Sequence, residues 1–138
     1  MSPLRSETLP LRTDEDVLRV RQTVRVWMVE QTFNVVEQTM MVTATSELAR
    51  NTVVYGGGGS ARLELLADSG RQGIRVIFED EGQGIPDIEQ ALKDGFTTGA
   101  GLGLGLGGSK RLVDEFEIES AAGKGTRVTI TKWKKSHP

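Results

Sequence analysis

Two glycine clusters place the strongest constraint on what this chain can fold into. The first follows the apolar run Val76-Ile77-Phe78 and reads Glu79-Asp80-Glu81-Gly82-Gln83-Gly84. The second, Gly99-Ala100-Gly101-Leu102-Gly103-Leu104-Gly105-Leu106-Gly107-Gly108, leads into the helical pattern of Ser109-Lys110-Arg111-Leu112-Val113. Glycines at this density let backbone N–H groups approach a ligand, because no Cβ stands between them. A helix opening just behind them adds unpaired N–H donors and the positive end of a dipole, which suits phosphate. Asp80 is different: a lone acceptor at a strand end, placed to hold a group that donates. A base acceptor and a phosphate cradle on one segment describe a nucleotide site.

The chain of 138 residues is read as one domain, 1–138, with a single core. A formal net charge of −2 gives no basic field for nucleic acid. Lys132, Lys134 and Lys135 read as a solvated tail. The absence of cysteine agrees with a reducing compartment, and a cytoplasmic location is expected. No signal peptide is apparent and no apolar run approaches a membrane span, so no membrane partner is expected.

In order, Glu7 to Arg12 reads as an edge strand, since Pro10 cannot donate to a central ladder. Thr13 followed by Asp14, Glu15 and Asp16 opens a helix to about Gln31, with Val17, Val20, Val24, Trp27 and Met28 on its apolar side. Asn34 caps a second helix to about Tyr55, whose inner face carries Met40, Ala44, Leu48 and Tyr55. Glu47 and Asn51 interrupt that face one turn apart, and buried polar groups need partners. Gly56-Gly57-Gly58-Gly59-Ser60 has the composition of a flexible linker or an insertion; it is read here as a helix–strand loop. Strands Ala61 to Ala67 and Ile74 to Phe78 form an antiparallel hairpin. A short helix is allowed over Pro86 to Lys93. Asp94 to Gly108 reads as a mobile lid and Ser109 to Glu115 as a helix. Strands Phe116 to Ser120 and Thr126 to Trp133 close the chain. The order predicts an α+β two-layer sandwich, a mostly antiparallel sheet covered on one face by helices.

Among phosphate-binding patterns the P-loop is absent. Gly103-x-Gly105-x-x-Gly108 fits the dinucleotide pattern literally, but it follows a loop and no acid stands about twenty residues on. What remains is an ordered quartet: Glu47-x-x-x-Asn51, Asp80-x-Gly82-x-Gly84, Gly101-x-Gly103-x-Gly105 and Gly123-x-Gly125-Thr126. This quartet resembles the GHKL superfamily of gyrase-type topoisomerases, heat-shock chaperones, histidine kinases and anti-sigma-factor kinases. Further stretches are similar to the RsbT-type switch serine kinases: Ser46 to Asn51, Asp87-Ile88, Asp94 to Thr98, Lys110 to Phe116, and Lys132-Trp133. A histidine kinase would need a phosphoacceptor histidine on a dimerising helix, and the single histidine is His137.

The resemblance implies a Bergerat-type ATP-binding fold and an ATP- and Mg²⁺-dependent serine/threonine kinase. It also implies a role for each motif residue. Asp80 would accept from the adenine amine, supported by Thr126 through water, with Gly82 and Gly84 letting the backbone pass close to the ring. Asn51 would hold Mg²⁺. Gly101, Gly103 and Gly105 would wrap the phosphates, with Lys110 or Arg111 neutralising charge. Glu47 would orient and deprotonate the attacking hydroxyl. The implied partners are STAS-domain proteins of a stressosome-like module as substrates, and a metal-dependent phosphatase activated by binding. Two alternatives stay open: an anti-sigma factor of the same group, and a nucleotide-gated binding switch without transfer activity. Taken singly, Asp80 is also a turn-former, Thr126 an ordinary strand residue, and Lys110 and Arg111 plain helix-surface charges.

Overall fold

Thr13 starts the first helix, α1 (Asp14–Glu30), with a reciprocal cap. Its hydroxyl accepts the Asp16 N–H, while the Asp16 carboxylate accepts the N–H groups of Arg12 and Thr13 at 2.9 and 3.2 Å. The Arg12 N–H above all holds the Asp16 carboxyl below its ordinary value. This cap therefore contributes fully above the ordinary carboxylate range and is lost as pH falls through the lowered value. Asn34 caps α2 (Val35–Val54) in the same way, exchanging hydrogen bonds with the buried Glu37. The other Glu37 oxygen accepts the Lys135 N–H at 2.9 Å, which ties the C-terminal segment to the start of α2.

The computed structural model describes residues 2–85, 87–93 and 105–135. Strand β1 (Arg5–Leu11) precedes α1, and β2 (Gly59–Asp68) and β3 (Arg71–Asp80) follow α2. After the one-turn α3 (Ile88–Ala91) and α4 (Gly105–Arg111) come β4 (Glu115–Ser120) and β5 (Thr126–Trp133). The five strands form one antiparallel sheet in the order β1-β2-β3-β5-β4. Pro10 sits on the edge strand, as its missing N–H requires. Leu63, Ile74, Val76, Phe78, Val128 and Ile130 turn one sheet face into the core with α1 and α2. On the other face a buried Glu64 is held by Arg75 at 2.6 Å and Arg62 at 3.3 Å. The two-layer α+β expectation is met. No helix among the described residues is long and apolar enough to cross a membrane.

Several local readings shift. Because α2 packs on both α1 and the sheet, its buried stripe is wide: Met41, Ala44, Thr45, Leu48, Ala49 and Thr52. Met40 is only half-buried and Tyr55, at the C-cap, is 46% exposed. Lys132 is buried, contrary to the solvated-tail reading, because β5 directs it toward the helices. There its ammonium donates to the Leu112 carbonyl at 3.2 Å and fixes the α4–β4 corner. Helix α4 begins at Gly105, four residues before the expected Ser109, and Leu106, Gly107 and Ser109 are buried in it. Gly107 passes so near Leu92 that a Cβ would overlap the Leu92 carbonyl oxygen. Residues 105–108 of the expected lid are thus packed helix; its remainder, 94–104, lies outside the described residues.

The glycine run after α2 is not a linker. Gly59 already belongs to β2, between Leu11 and Asp80, and a Cβ there would overlap the Glu79 carbonyl oxygen. Gly57, at φ +74°, faces open space. Gly59→Ala should therefore cost about 2–3 kcal/mol as overpacking against backbone. Gly57→Ala should cost only about 1 kcal/mol, from the left-handed conformation alone. Urea unfolding of the two variants checks the contrast; equal, small losses would show that Gly59 is not held against β3.

Candidate functional site

Strand β3 is central, and its last residue, Asp80, marks one end of the sheet between Gly59 and Thr126. One carboxylate oxygen of Asp80 accepts the Gly82 N–H at 2.9 Å, which fixes the side chain and leaves the other oxygen to the cleft. Backbone crowds this residue from several sides. A Cβ on Gly56 would stand 2.5 Å from Asp80 Oδ2, and one on Gly125, at φ +78°, would overlap the Asp80 carbonyl oxygen. The loop after β3 is clamped in turn. A Cβ on Gly82 would lie 2.7 Å from the Gly56 carbonyl oxygen, and one on Gly84 would overlap that of Ala121. Gln83 accepts the Gly123 N–H at 2.6 Å, and Ser120 Oγ accepts the Ile85 N–H at 2.7 Å.

Between this sheet end and the C-terminal half of α2 lies a cleft of about 540 Å³, of the size that takes a drug-sized ligand. Phe78, Val128, Leu48 and Leu106 give it an apolar lining, while Asp80 and Thr126 stand at its polar end. Glu47 and Asn51 line the α2 wall one turn apart, both half-buried. Among the described residues neither side chain has a hydrogen-bond or ion-pair partner, so both polar groups are left to the cleft. The helix puts an anionic and a neutral oxygen side by side on a rigid element.

The structure thus brings Glu47, Asn51, Asp80, Gly84, Gly105 and Thr126 to one cleft. Gly82 stands behind Asp80 against Gly56 rather than on the lining. Lys110 is exposed in the last turn of α4, away from the cleft lining. Gly101 and Gly103 fall outside the described residues. Sequence reasoning did not single out Gly56, Ser120, Arg50 or Tyr55 as site residues, and Gly125 stood in the motif beside Thr126 with no role of its own. Arg50 and Tyr55 also line the cleft; Arg50 stands three residues from Glu47, and Tyr55, expected on the inner face of α2, four from Asn51.

Residues 36–136 match the model of the histidine kinase-, DNA gyrase B- and HSP90-like ATPases. The chain belongs to this ATPase family. Within it, the chain falls in the group of small ATP-binding kinases that includes RsbT: it is 46% identical over 123 residues to serine/threonine-protein kinase RsbT of Bacillus subtilis, covering 89% of this chain and 92% of RsbT. It is also 37% identical to an anti-sigma F factor of a Thermoanaerobacter species over 66% of each chain. An anti-sigma F factor of Clostridium novyi is 28% identical over 96% of this chain and 95% of its own. A solved structure of RsbU and RsbW domains from Mycobacterium tuberculosis shares the fold, with a TM-score of 0.64 at 24% identity. That alignment covers 97% of this chain and 34% of the longer one.

The clamped loop generates a prediction that needs no ligand. Gly84→Ala should push the loop off the β4–β5 turn, since φ is +77° and the new methyl meets backbone. Amide exchange at Ile85 and Gly123, protected by the bonds to Ser120 and Gln83, should speed up by at least about tenfold while β3 amides stay protected. Unchanged exchange at both amides would show that the loop tolerates a side chain there.

Proposed function

We propose that this protein is an ATP- and Mg²⁺-dependent serine/threonine kinase whose substrates are STAS-domain proteins of a partner-switching stress module. In this reading it also activates a metal-dependent phosphatase by binding to it. The observation that carries the kinase reading is the pair Glu47 and Asn51, side by side on one cleft wall and without protein partners among the described residues. The similarity to RsbT supports a protein hydroxyl as acceptor. STAS substrates and the phosphatase rest on the resemblance to the RsbT-type kinases.

The roles follow from the chemistry of the lining. The free Asp80 oxygen accepts from the adenine amine, and Phe78 and Val128 supply apolar surface toward the ring. The donor set fits Mg²⁺ in a particular way. No group of three histidine, cysteine or acidic side chains placed to hold a metal ion occurs among the described residues, so in this reading the protein offers Asn51 and leaves most ligand positions to phosphate oxygens and water. Bound there, Mg²⁺ would neutralise charge on the phosphates. Glu47 accepts the proton of the attacking hydroxyl and aims it. Phosphoryl transfer asks chiefly for positioning and charge stabilisation, so one base beside a metal-binding amide is sufficient. Gly101, Gly103 and Gly105 wrap the phosphates in this reading; Lys110, exposed as it stands, reaches them only if the phosphates extend past α4.

Three variants test the assignment. Asp80→Asn replaces an acceptor by a group that also donates, and should weaken ATP binding by about 1–3 kcal/mol in a folded protein. Asn51→Ala should weaken Mg²⁺-dependent nucleotide binding together with transfer. Glu47→Ala should bind ATP normally and lose about 10²-fold or more in phosphate incorporation into a STAS partner. Calorimetry and radiolabel transfer read all three. Wild-type transfer by Glu47→Ala would make Glu47 structural. The similarity to anti-sigma F factors favours one second reading, a sigma-factor-binding protein. It prevails if the wild type binds a sigma factor and phosphorylates no STAS partner.

A further inference from the structure

At the turn between β4 and β5 one assignment of protons makes all three contacts of the Ser120 hydroxyl hydrogen bonds. Ser120 Oγ accepts the Ile85 N–H at 2.7 Å, lies 2.8 Å from the Gly125 carbonyl oxygen, and lies 2.8 Å from Thr126 Oγ1. A serine hydroxyl has one proton, and a carbonyl can only accept. The Ser120 proton therefore goes to Gly125. Thr126 must then be the donor in its contact with Ser120, and what it turns to its other neighbours is lone pairs. Thr126 stands opposite Asp80 in the β3–β5 register, and both line the polar end of the cleft. Asp80 also accepts only, with one oxygen already given to Gly82.

We propose that Ser120, a residue outside the motif quartet, is a positioning residue for base selection. By committing the Thr126 proton, it makes the polar end of the cleft an acceptor-only wall. Where the wall meets the 6-position, a 6-amino purine brings N–H donors to it; a 6-oxo purine brings a carbonyl that finds no donor there and has only its N1–H to give. The polarity carries through a bridging water. A water at the 6-position that donates to both Asp80 and Thr126 has only lone pairs left for the base, so there it too selects an amine over a carbonyl. If Thr126 were free to donate, the water would keep a proton for a 6-oxo group and the selection would weaken. The inference rests on the reading of the Asp80 cleft as a purine-nucleotide site.

The test is calorimetric titration of the wild type and Ser120→Ala with ATP and with inosine triphosphate, which differ at the base in the 6-substituent and in the N1 proton that accompanies the 6-oxo group. Ser120→Ala also releases the Ile85 and Gly125 anchors, which weakens both nucleotides in common, so the readout is the affinity ratio. The wild type should prefer ATP, and Ser120→Ala should shrink that preference roughly fivefold, the worth of one neutral hydrogen bond. Ser120→Thr, which keeps the hydroxyl, should restore the ratio. Thr126→Val gives an independent reading should Ser120→Ala not fold. With the proton committed to Ser120, it should weaken ATP and spare inosine triphosphate. With a freely turning hydroxyl, it would weaken both alike. An unchanged ratio in folded Ser120→Ala, or equal losses in Thr126→Val, would overturn the role of Ser120 while leaving the nucleotide site standing. A wild type that binds neither nucleotide, or both equally, would remove the base-site reading and this inference with it.

Discussion

The contact on which the rest of this structure depends is backbone against backbone around the last residue of β3. Asp80 lies between two neighbouring strands, with Gly59 on one side and Gly125 beyond Thr126 on the other. At both glycines a methyl group would overlap a carbonyl oxygen of the β3 end, and at Gly56 it would meet the carboxylate itself. Interiors packed at this density respond to a single added carbon. The consequence is a carboxylate whose position is fixed by main chain and one hydrogen bond rather than by a shell of flexible side chains. A carboxylate held in that way is organised in advance, and a ligand that used it would meet little ordering cost.

The two halves of the site obtain their rigidity from different sources. On the sheet side, the Ser120 hydroxyl joins the loop after β3 to the β4–β5 turn, so that Ile85, Gly125 and Thr126 are tied to one side chain. On the helix side, Glu47 and Asn51 sit on a 20-residue helix whose opposite stripe is buried against α1 and the sheet. A reciprocal cap at Asn34 and the bond from Lys135 to Glu37 anchor the beginning of that helix. Sites built on regular elements hold geometry better than sites built on loops. Helix α4 is held by closer means: Gly107 against Leu92, and the Lys132 ammonium on the Leu112 carbonyl. A buried lysine needs such a partner, since an uncompensated charge in the core is costly. The expectation of a surface tail overlooked that β5 continues its alternation through Lys132.

Much of the fold could be read from local pattern. Thr13 and Asn34 marked helix starts because a capping side chain and its target N–H lie three residues apart. The alternation in Ala61 to Ala67 and Ile74 to Phe78 marked the hairpin because strand side chains repeat every two residues. The order of Glu47, Asn51, Asp80 and the glycine motifs was enough to expect an ATP-binding fold, and the family match agrees. Glu47 with Asn51, and Asp80 with its glycines, are legible for the same reason: the members of each set lie within a turn or a few residues of one another.

What only the tertiary structure decided concerns atoms remote in the chain. Composition made Gly56 to Ser60 look like a linker, because a glycine's need for closeness is invisible until the neighbour is known; here the neighbours are Glu79 and Asp80. Gly105 to Gly108 read as part of a lid for the same reason, and Leu92 leaves no room for a side chain at Gly107, inside what is helix α4. The width of the α2 stripe depended on α1 lying beside it, which periodicity along one helix does not express. Ser120 had no signal at all. Its hydroxyl meets Ile85, thirty-five residues away, at 2.7 Å, and the direction of the Thr126 proton follows from that meeting and the one with Gly125. Sequence determines which chemical groups are available and their spacing along each element; packing determines which of them face one another, and so which are donors and which are acceptors.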